Sequence, residues 1–367
     1  MHKVLNYGSV LQAYALQHTL FKMGYDNEII DYQFPKVMPQ KLTIKSTFHS
    51  IFIFLRNAII GFPVEKSRKK FDSFCMENYT MSKLKYNDVS IQETPPSYDV
   101  YMTGSDQVWN PRHVKNDTSF LLSFAPTGMA KVSYASSFAC DTLPDEYREI
   151  YKKYLNQYDY ITVRESTGIK IVEDLTGKEA FLCCDPTLLL NKNEWDNIES
   201  KSKLNIKEKY ILVYALYYMF DPYPELLDII SNVQNTLGYK VIYLNGRKED
   251  AFRKNSKVFK SGGPEDFLYL IKHAEFVITT SFHGTVFSLQ YERPLYAIVK
   301  EIDSSDSRIT SLLRQVGQEK SIIQFDSKKK LKKEDLPNLR CRGEIISHIS
   351  EQSLGTISNM LSRICQK

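Results

Sequence analysis

The sequence predicts an α/β protein of two halves facing a cleft, with a helical insertion in the first half. Three observations predict it. Strand-like runs alternate with helical stretches through residues 98–190 and again through 210–299. A polar, lysine-rich segment at 191–208 separates the two series. The segment 36–95 breaks the rhythm, being rich in Lys, Phe and Ile, with a helical look from about 47 to 79. The expected division is an N-terminal α/β domain at 1–195, a C-terminal α/β domain at 196–335 and a closing helical segment at 336–367, which packs back across the first domain.

The elements follow in order. Residues 10–23 carry apolar side chains at helical spacing; Gly24 stops the helix and Asn6 or Ser9 caps its start. A strand follows at 27–32. Five residues precede Asn6, too few for the strand and turn that open a βαβ unit, so the first strand is expected to be missing. The run 66–70 (KSRKK) reads as a solvated helix face. Strands at 98–103, 131–139 and 160–163 alternate with helices at 145–157 and from 166, and an apolar run at 181–190 closes this half. The second half has strands at 210–217, 240–244, 276–280 and 294–299, with helices at 224–237, from Pro264 and at 284–290. A last helix covers 344–364.

Composition bounds the class. The 367 residues are 43% hydrophobic and 25% charged, as in an ordinary globular protein. A net charge of +5 and a pI near 8.6 give no basic face for nucleic acid but suit an anionic substrate. The six cysteines form no C-x-x-C pair and have no His at metal-ligand spacing, so reduced thiols in a reducing compartment are expected. No signal-peptide core is visible, and the apolar stretch 48–62 is too short and polar to span a bilayer. The expected location is the cytoplasm, with peripheral contact of 36–95 to the inner face of the membrane as a further option. Phosphate-loop, G-x-G-x-x-G dinucleotide, zincin and G-x-S-x-G hydrolase motifs are all absent from the sequence.

Several residues stand where strands end, the place ligands occupy in open α/β sheets. The segment 279–288 (TTSFHGTVFS) follows an apolar strand and opens a helix. His283 there is a candidate proton carrier, with Ser281, Gly284 and Thr285 as anion contacts at the helix start. A capping or core histidine is the plainer alternative. Arg164 ends the strand 160–163 and suits a carboxylate or phosphate; an ion pair with Glu165 is its alternative. Asp106, in 103–110 (TGSDQVWN), is a candidate acid or base, or a turn aspartate bonding its own backbone. Asn6, Tyr7, Gly8 and Ser9 form a loop entering a helix, a weak phosphate signal. Arg308 opens a helix beyond the last clear strand, as a second anion ligand or a surface charge.

Taken together, six segments resemble the polysaccharide pyruvyl transferase family: 6–17 (NYGSVLQAYALQ), 103–111 (TGSDQVWNP), 134–138 (YASSF), 163–166 (VRES), 184–189 (CDPTLL) and 280–285 (TSFHGT). They recur in the family's order over residues 6 to about 317. The resemblance implies two Rossmann-like domains arranged as in GT-B glycosyltransferases, with phosphoenolpyruvate in the cleft. It implies that His283 is the central catalytic residue and that Arg164 helps hold the donor. The expected reaction is transfer of a pyruvyl group to a glycan or lipid-linked sugar acceptor, forming a cyclic ketal, with no metal and no cofactor beyond the donor. Asp106 is the candidate second acid/base. Two alternatives are a nucleotide-sugar glycosyltransferase on the same architecture, with Glu265 as a ribose contact, and a catalytically silent glycan-binding subunit.

Overall fold

The computed structural model describes residues 2–34, 63–115, 117–217, 220–302 and 308–365. The C-terminal half is a six-stranded parallel sheet: β7 (Tyr210–Tyr214), β8 (Lys240–Leu244), β9 (Ser256–Phe259), β10 (Phe276–Thr279), β11 (Leu295–Val299) and β12 (Ile322–Gln324). Their spatial order is β12-β11-β10-β7-β8-β9, the doubly wound order in which the chain reverses direction between β7 and β10. Strands β9 and β12 are not among those read from the sequence. Strands β7, β10 and β11 are buried along their whole length, as a parallel sheet covered on both faces requires. Ile211, Val213 and Ile278 face α6 (Leu226–Leu237) on one side; Leu212, Tyr214 and Val277 face α7 (Pro264–Lys272) and α8 (Phe282–Gln290) on the other.

The N-terminal half is also parallel. Strand β3 (Val100–Thr103) pairs with β4 (Ala130–Ser133), which bridges through Val132–Tyr160 towards β5 (Thr162–Val163), itself paired with β6 (Phe181–Leu182). A second pair joins β1 (Ile29–Tyr32) to β2 (Met81–Tyr86). Helix α1 (Tyr7–Lys22) starts at Asn6, whose side chain accepts from the Ser9 N–H at 3.2 Å, and α2 (Pro63–Asn78), α3 (Asp145–Leu155) and α4 (Ser166–Thr176) complete this half.

The insertion expected at 36–95 is therefore shorter. Strand β2 pairs with β1 in a two-stranded parallel sheet, and α2 is fixed by Phe71 and Phe74, both buried against α1. Residues 35–62, including the start of the expected helix, lie outside the described residues. Along the basic run, Lys66, Arg68 and Lys69 are exposed, while Lys70 reaches Asp266 of α7 at 2.6 Å.

The halves share a core. Tyr7 stacks on Phe267 of α7 with ring centroids 4.9 Å apart and also contacts Phe71 and Tyr214. The boundary drawn at 195/196 falls inside α5 (Lys192–Glu199), because Trp195 is fully buried between Tyr14 and Phe287 and donates to the Thr187 carbonyl at 3.0 Å. The last helix, α10 (Gly343–Cys365), spans both halves: Ile346 and Ile349 join the shared core, and Ile357 and Met360 pack with Leu16 and Val132. The described cysteines form no disulfide. No described helix is long and apolar enough to cross a membrane.

Replacing a buried isoleucine by alanine costs about 2–5 kcal/mol. Ile357→Ala should therefore lower the urea midpoint of the whole chain in one transition, measured by circular dichroism, because α10 ties the two halves together. An unchanged midpoint would mean that the helix is not docked.

Candidate active site

The site forms where the strand order reverses, between the carboxyl ends of β7 and β10. Beyond β10, the Thr280 hydroxyl accepts from the Leu216 N–H at 2.7 Å and lies 3.0 Å from the Leu216 carbonyl, which pins the two strand ends together. Ser281 caps α8 by accepting from the Gly284 N–H at 3.2 Å, and the Thr285 hydroxyl donates back to the Ser281 carbonyl at 3.1 Å. A Cβ on Gly284 would lie 2.4 Å from Thr279 Oγ1, so this glycine lets the helix press onto its strand. Ser281, Gly284 and Thr285, expected as anion contacts, thus hold the helix start in place, and the Gly284 N–H is already taken. They fix His283, the second residue of α8, at the sheet edge.

From the N-terminal half come three more strand-end residues. Arg164 follows β5, Asp106 follows β3, and Asp185 follows β6. Arg164 Nη1 donates to Asp185 Oδ2 at 2.6 Å, and its Nη2 is 3.6 Å from Asp106 Oδ1. His283 Nε2 lies 3.4 Å from the same Asp185 Oδ2, an ion-pair distance without hydrogen-bond alignment. The other Asp185 oxygen accepts from the Thr187 N–H at 3.0 Å and the Thr187 hydroxyl at 2.6 Å. Asp106 accepts from the Ser9 hydroxyl and holds a left-handed backbone at φ 73°. A non-glycine residue there stores strain of about 1–3 kcal/mol, a feature that clusters at functional sites.

The electrostatics follow from burial. Side-chain exposure is 2% for Arg164, 0% for Asp185 and 8% for His283. Burial alone would raise the Asp185 carboxyl, yet His283 and Arg164 hold it well below the usual carboxylate range. Burial acts the same way on Asp106, and Arg164, His283 and the Ser9 hydroxyl outweigh it. Asp106 is therefore held as a carboxylate, the form that accepts a proton. Arg164 is kept charged: burial opposes its charge, but Asp185 and Asp106 overcome it. The buried atoms Arg164 Nε and Nη2, Arg308 Nε, His283 Nε2 and Ser137 Oγ have no hydrogen-bond partner. Unsatisfied buried groups gathered in one place are what a bound polar ligand would satisfy.

The remaining expected residues divide. Gly8 touches the site: a Cβ there would lie 2.0 Å from the imidazole of His283, so only glycine admits the ring. Ser9 reaches Asp106, whereas Asn6 is a helix cap. Tyr7 is pushed up to about 12 by burial and serves the shared core, not a ligand. Arg308 opens α9 (Arg308–Gln315) and lies over the Phe282 ring at 5.8 Å, with Arg164 over the same ring at 4.5 Å. With the Gln107 amide turned to suit its neighbours, its carbonyl accepts from Arg308 at 3.2 and 3.3 Å. Glu165 does not hydrogen-bond to Arg164; one of its oxygens accepts from the Phe138 and Ala139 N–H groups at 2.8 and 3.2 Å. Asp185, the hub, was missed as a site residue. Its signal was an aspartate at a strand end before Pro186 and Thr187. Among the described residues, no cluster of three or more His, Cys, Asp or Glu is arranged to hold a metal ion.

A doubly wound sheet, a second parallel α/β half and polar groups meeting at their strand ends define a GT-B-type architecture. Its likeness to the UDP-GlcNAc 2-epimerase of Methanocaldococcus jannaschii covers 96% of each chain, with a TM-score of 0.53 at 14% identity. A putative UDP-N-acetylglucosamine 2-epimerase of Listeria monocytogenes matches over 82% of this chain and 78% of that chain, with a TM-score of 0.48 at 9% identity. The first likeness shows the fold. Compared by sequence with curated proteins, the chain finds no match. The family model for polysaccharide pyruvyl transferase matches residues 6–299, and the chain belongs to that family.

Removing one partner of a buried ion pair costs about 3–5 kcal/mol. Asp185→Asn should lose about that much at neutral pH by urea titration, because Arg164 is left charged in the core. A depressed carboxyl contributes stability above its unfolded pKa and loses it as pH falls. The gap between wild type and Asp185→Asn should therefore be full at neutral pH and close progressively below about pH 4. A gap that stays constant to the acid limit would remove the charge network as its cause.

Proposed function

We propose that this transferase moves the pyruvyl group of phosphoenolpyruvate onto a sugar of a glycan precursor, closing a cyclic ketal and releasing phosphate. Family membership supports the reaction class. One observation supports the site: an imidazole from one half and a guanidinium from the other share the Asp185 carboxylate, with unsatisfied nitrogen atoms on both. Arg164 and Arg308 receive the donor's anionic groups through the nitrogens left without partners.

The bonds balance as follows. The methylene carbon of the donor takes up a proton from solvent water, and a sugar hydroxyl adds to C2 as its own proton leaves. The C–O bond to phosphate then breaks, and a second hydroxyl of the same sugar closes the ketal and loses its proton. His283 accepts the hydroxyl proton and returns it to the departing phosphate, with Asp185 stabilising the imidazolium in between. Asp106, held as a carboxylate, is a base for the second hydroxyl or an anchor for Arg164. The acceptor is expected to be a glycan or lipid-linked sugar, and the setting the cytoplasm or the inner face of the membrane.

Phosphate release from phosphoenolpyruvate should require acceptor, and phosphoenolpyruvate should raise the melting temperature where UDP-N-acetylglucosamine does not. Protection by the nucleotide sugar alone would favour nucleotide-sugar transfer instead. His283→Ala should lower kcat by about 10²–10⁴-fold in a folded protein. Gly8→Ala should lower kcat in the same direction, because its methyl displaces the imidazole while every titratable side chain stays in the chain. Near-normal turnover by His283→Ala would remove the imidazole from the mechanism.

A further inference from the structure

A second, open concavity lies on the same sheet edge. It follows β8 and has a volume of about 250 Å³, lined by Tyr223, Pro224, Arg247, Glu249, Asp250 and Arg253. Its floor is organised by Asp250, which is 0% exposed and accepts from the Tyr223 hydroxyl at 3.1 Å, the Arg247 N–H at 2.8 Å and Arg253 Nε at 3.1 Å. The Arg247 guanidinium lies over two rings, 4.1 Å from the centroid of Tyr223 and 4.7 Å from that of Tyr217. The turn Glu249–Phe252 supplies Glu249 and Asp250 to the lining, and its Phe252, next to the lining residue Arg253 in the chain, has 90% of its surface exposed. A phenylalanine left this open on a short, fixed turn loses hydrophobic stabilisation and gains nothing from the fold.

We infer that this pocket holds a non-reacting sugar ring of the acceptor glycan, the inference resting on the glycan-transferase reading above. The chemistry selects the ligand. Arg247 is paired with Asp221 and Arg253 with Asp250, and Glu249 adds a further carboxylate to the lining. Charges already neutralised within the wall are wrong for a diphosphate and right for hydroxyls, which donate to the exposed Glu249 carboxylate and accept from guanidinium N–H groups at once. An aromatic face beside such groups suits the C–H face of a pyranose. The volume is smaller than the roughly 300–1,000 Å³ of sites for drug-sized ligands, so it suits one ring and not a nucleotide.

Position decides which ring. Strands β10, β7 and β8 are adjacent, and the loop carrying Tyr217 leaves β7 directly beside Thr280. Two strand spacings, about 10 Å, separate the carboxyl end of β8 from the strand that delivers His283. That exceeds the length of one hexose, so the ring bound here is a neighbour of the one that reacts. Binding energy from this remote sugar positions the reacting hydroxyls.

The test uses the full chain on an array of neutral and N-acetylated oligosaccharides, without phosphoenolpyruvate. Wild type and His283→Ala should retain the same glycans, and Phe252→Ala, a surface change that leaves the core intact, should retain them at least about tenfold more weakly. In turnover, Phe252→Ala should raise KM for an oligosaccharide acceptor and leave KM for phosphoenolpyruvate unchanged. Equal retention by Phe252→Ala, or no glycan retained by wild type, overturns the pocket. Turnover with unchanged acceptor KM in Phe252→Ala sinks the pocket and leaves the reaction standing. Glycan retention that needs Phe252 without consumption of phosphoenolpyruvate keeps the pocket and sinks the reaction.

Discussion

A single carboxylate organises the site. Asp185 has no exposed side-chain surface, yet it stays ionised because Arg164 and His283 lie against one of its oxygens and Thr187 holds the other. Each of these groups is expensive to bury alone and acceptable in company. The same contact joins the two halves chemically, since Arg164 belongs to the first and His283 to the second. Taking charge out of water therefore fixes the relative placement of the two sheets, and that placement brings imidazole and guanidinium together.

The sequence carried much of this in its periodicity. Strands β7 and β11 are unbroken apolar runs and β8 and β10 are apolar but for one end residue, and helices such as α6 and α7 end at Gly238 and begin at Pro264, so they were legible to within a few residues. Short elements were not. Strand β12 has three residues, too few for a period to register, and β9 (SKVF) has two polar residues followed by two apolar ones, with no alternation to read. Helix α5 hides in a lysine-rich stretch because only Trp195 and Ile198 carry its apolar packing. The β2 strand alternates weakly, and only its pairing with β1 shows that it is a strand.

The site was legible in the same uneven way. His283, Arg164 and Asp106 stood out because each follows an apolar strand, and strand ends are where α/β sheets place ligands. Asp185 also ends a strand, but β6 is two residues long and the Pro186 that follows makes the aspartate look like a turn residue. Its importance comes from partners 21 and 98 residues away along the chain, Arg164 and His283, a relation that no local pattern encodes. Gly284 and Thr285 show the reverse case. Their spacing suggested ligand contact, and their hydrogen bonds and contacts turn out to serve the helix start.

The stacked pair of Tyr7 and Phe267 bears on how molecules enter. These rings, with Phe71 and Trp195, form one continuous apolar seam between the lobes. Opening the lobes like a book would expose that seam to water, at roughly 25 cal/mol for every Å² uncovered. Sliding α1 along α7 and α8 keeps it dry. Relative motion of the lobes is thus better served by shear than by hinge bending, and Gly8, which rides on α1 against the imidazole of His283, would register each such slide directly at that ring.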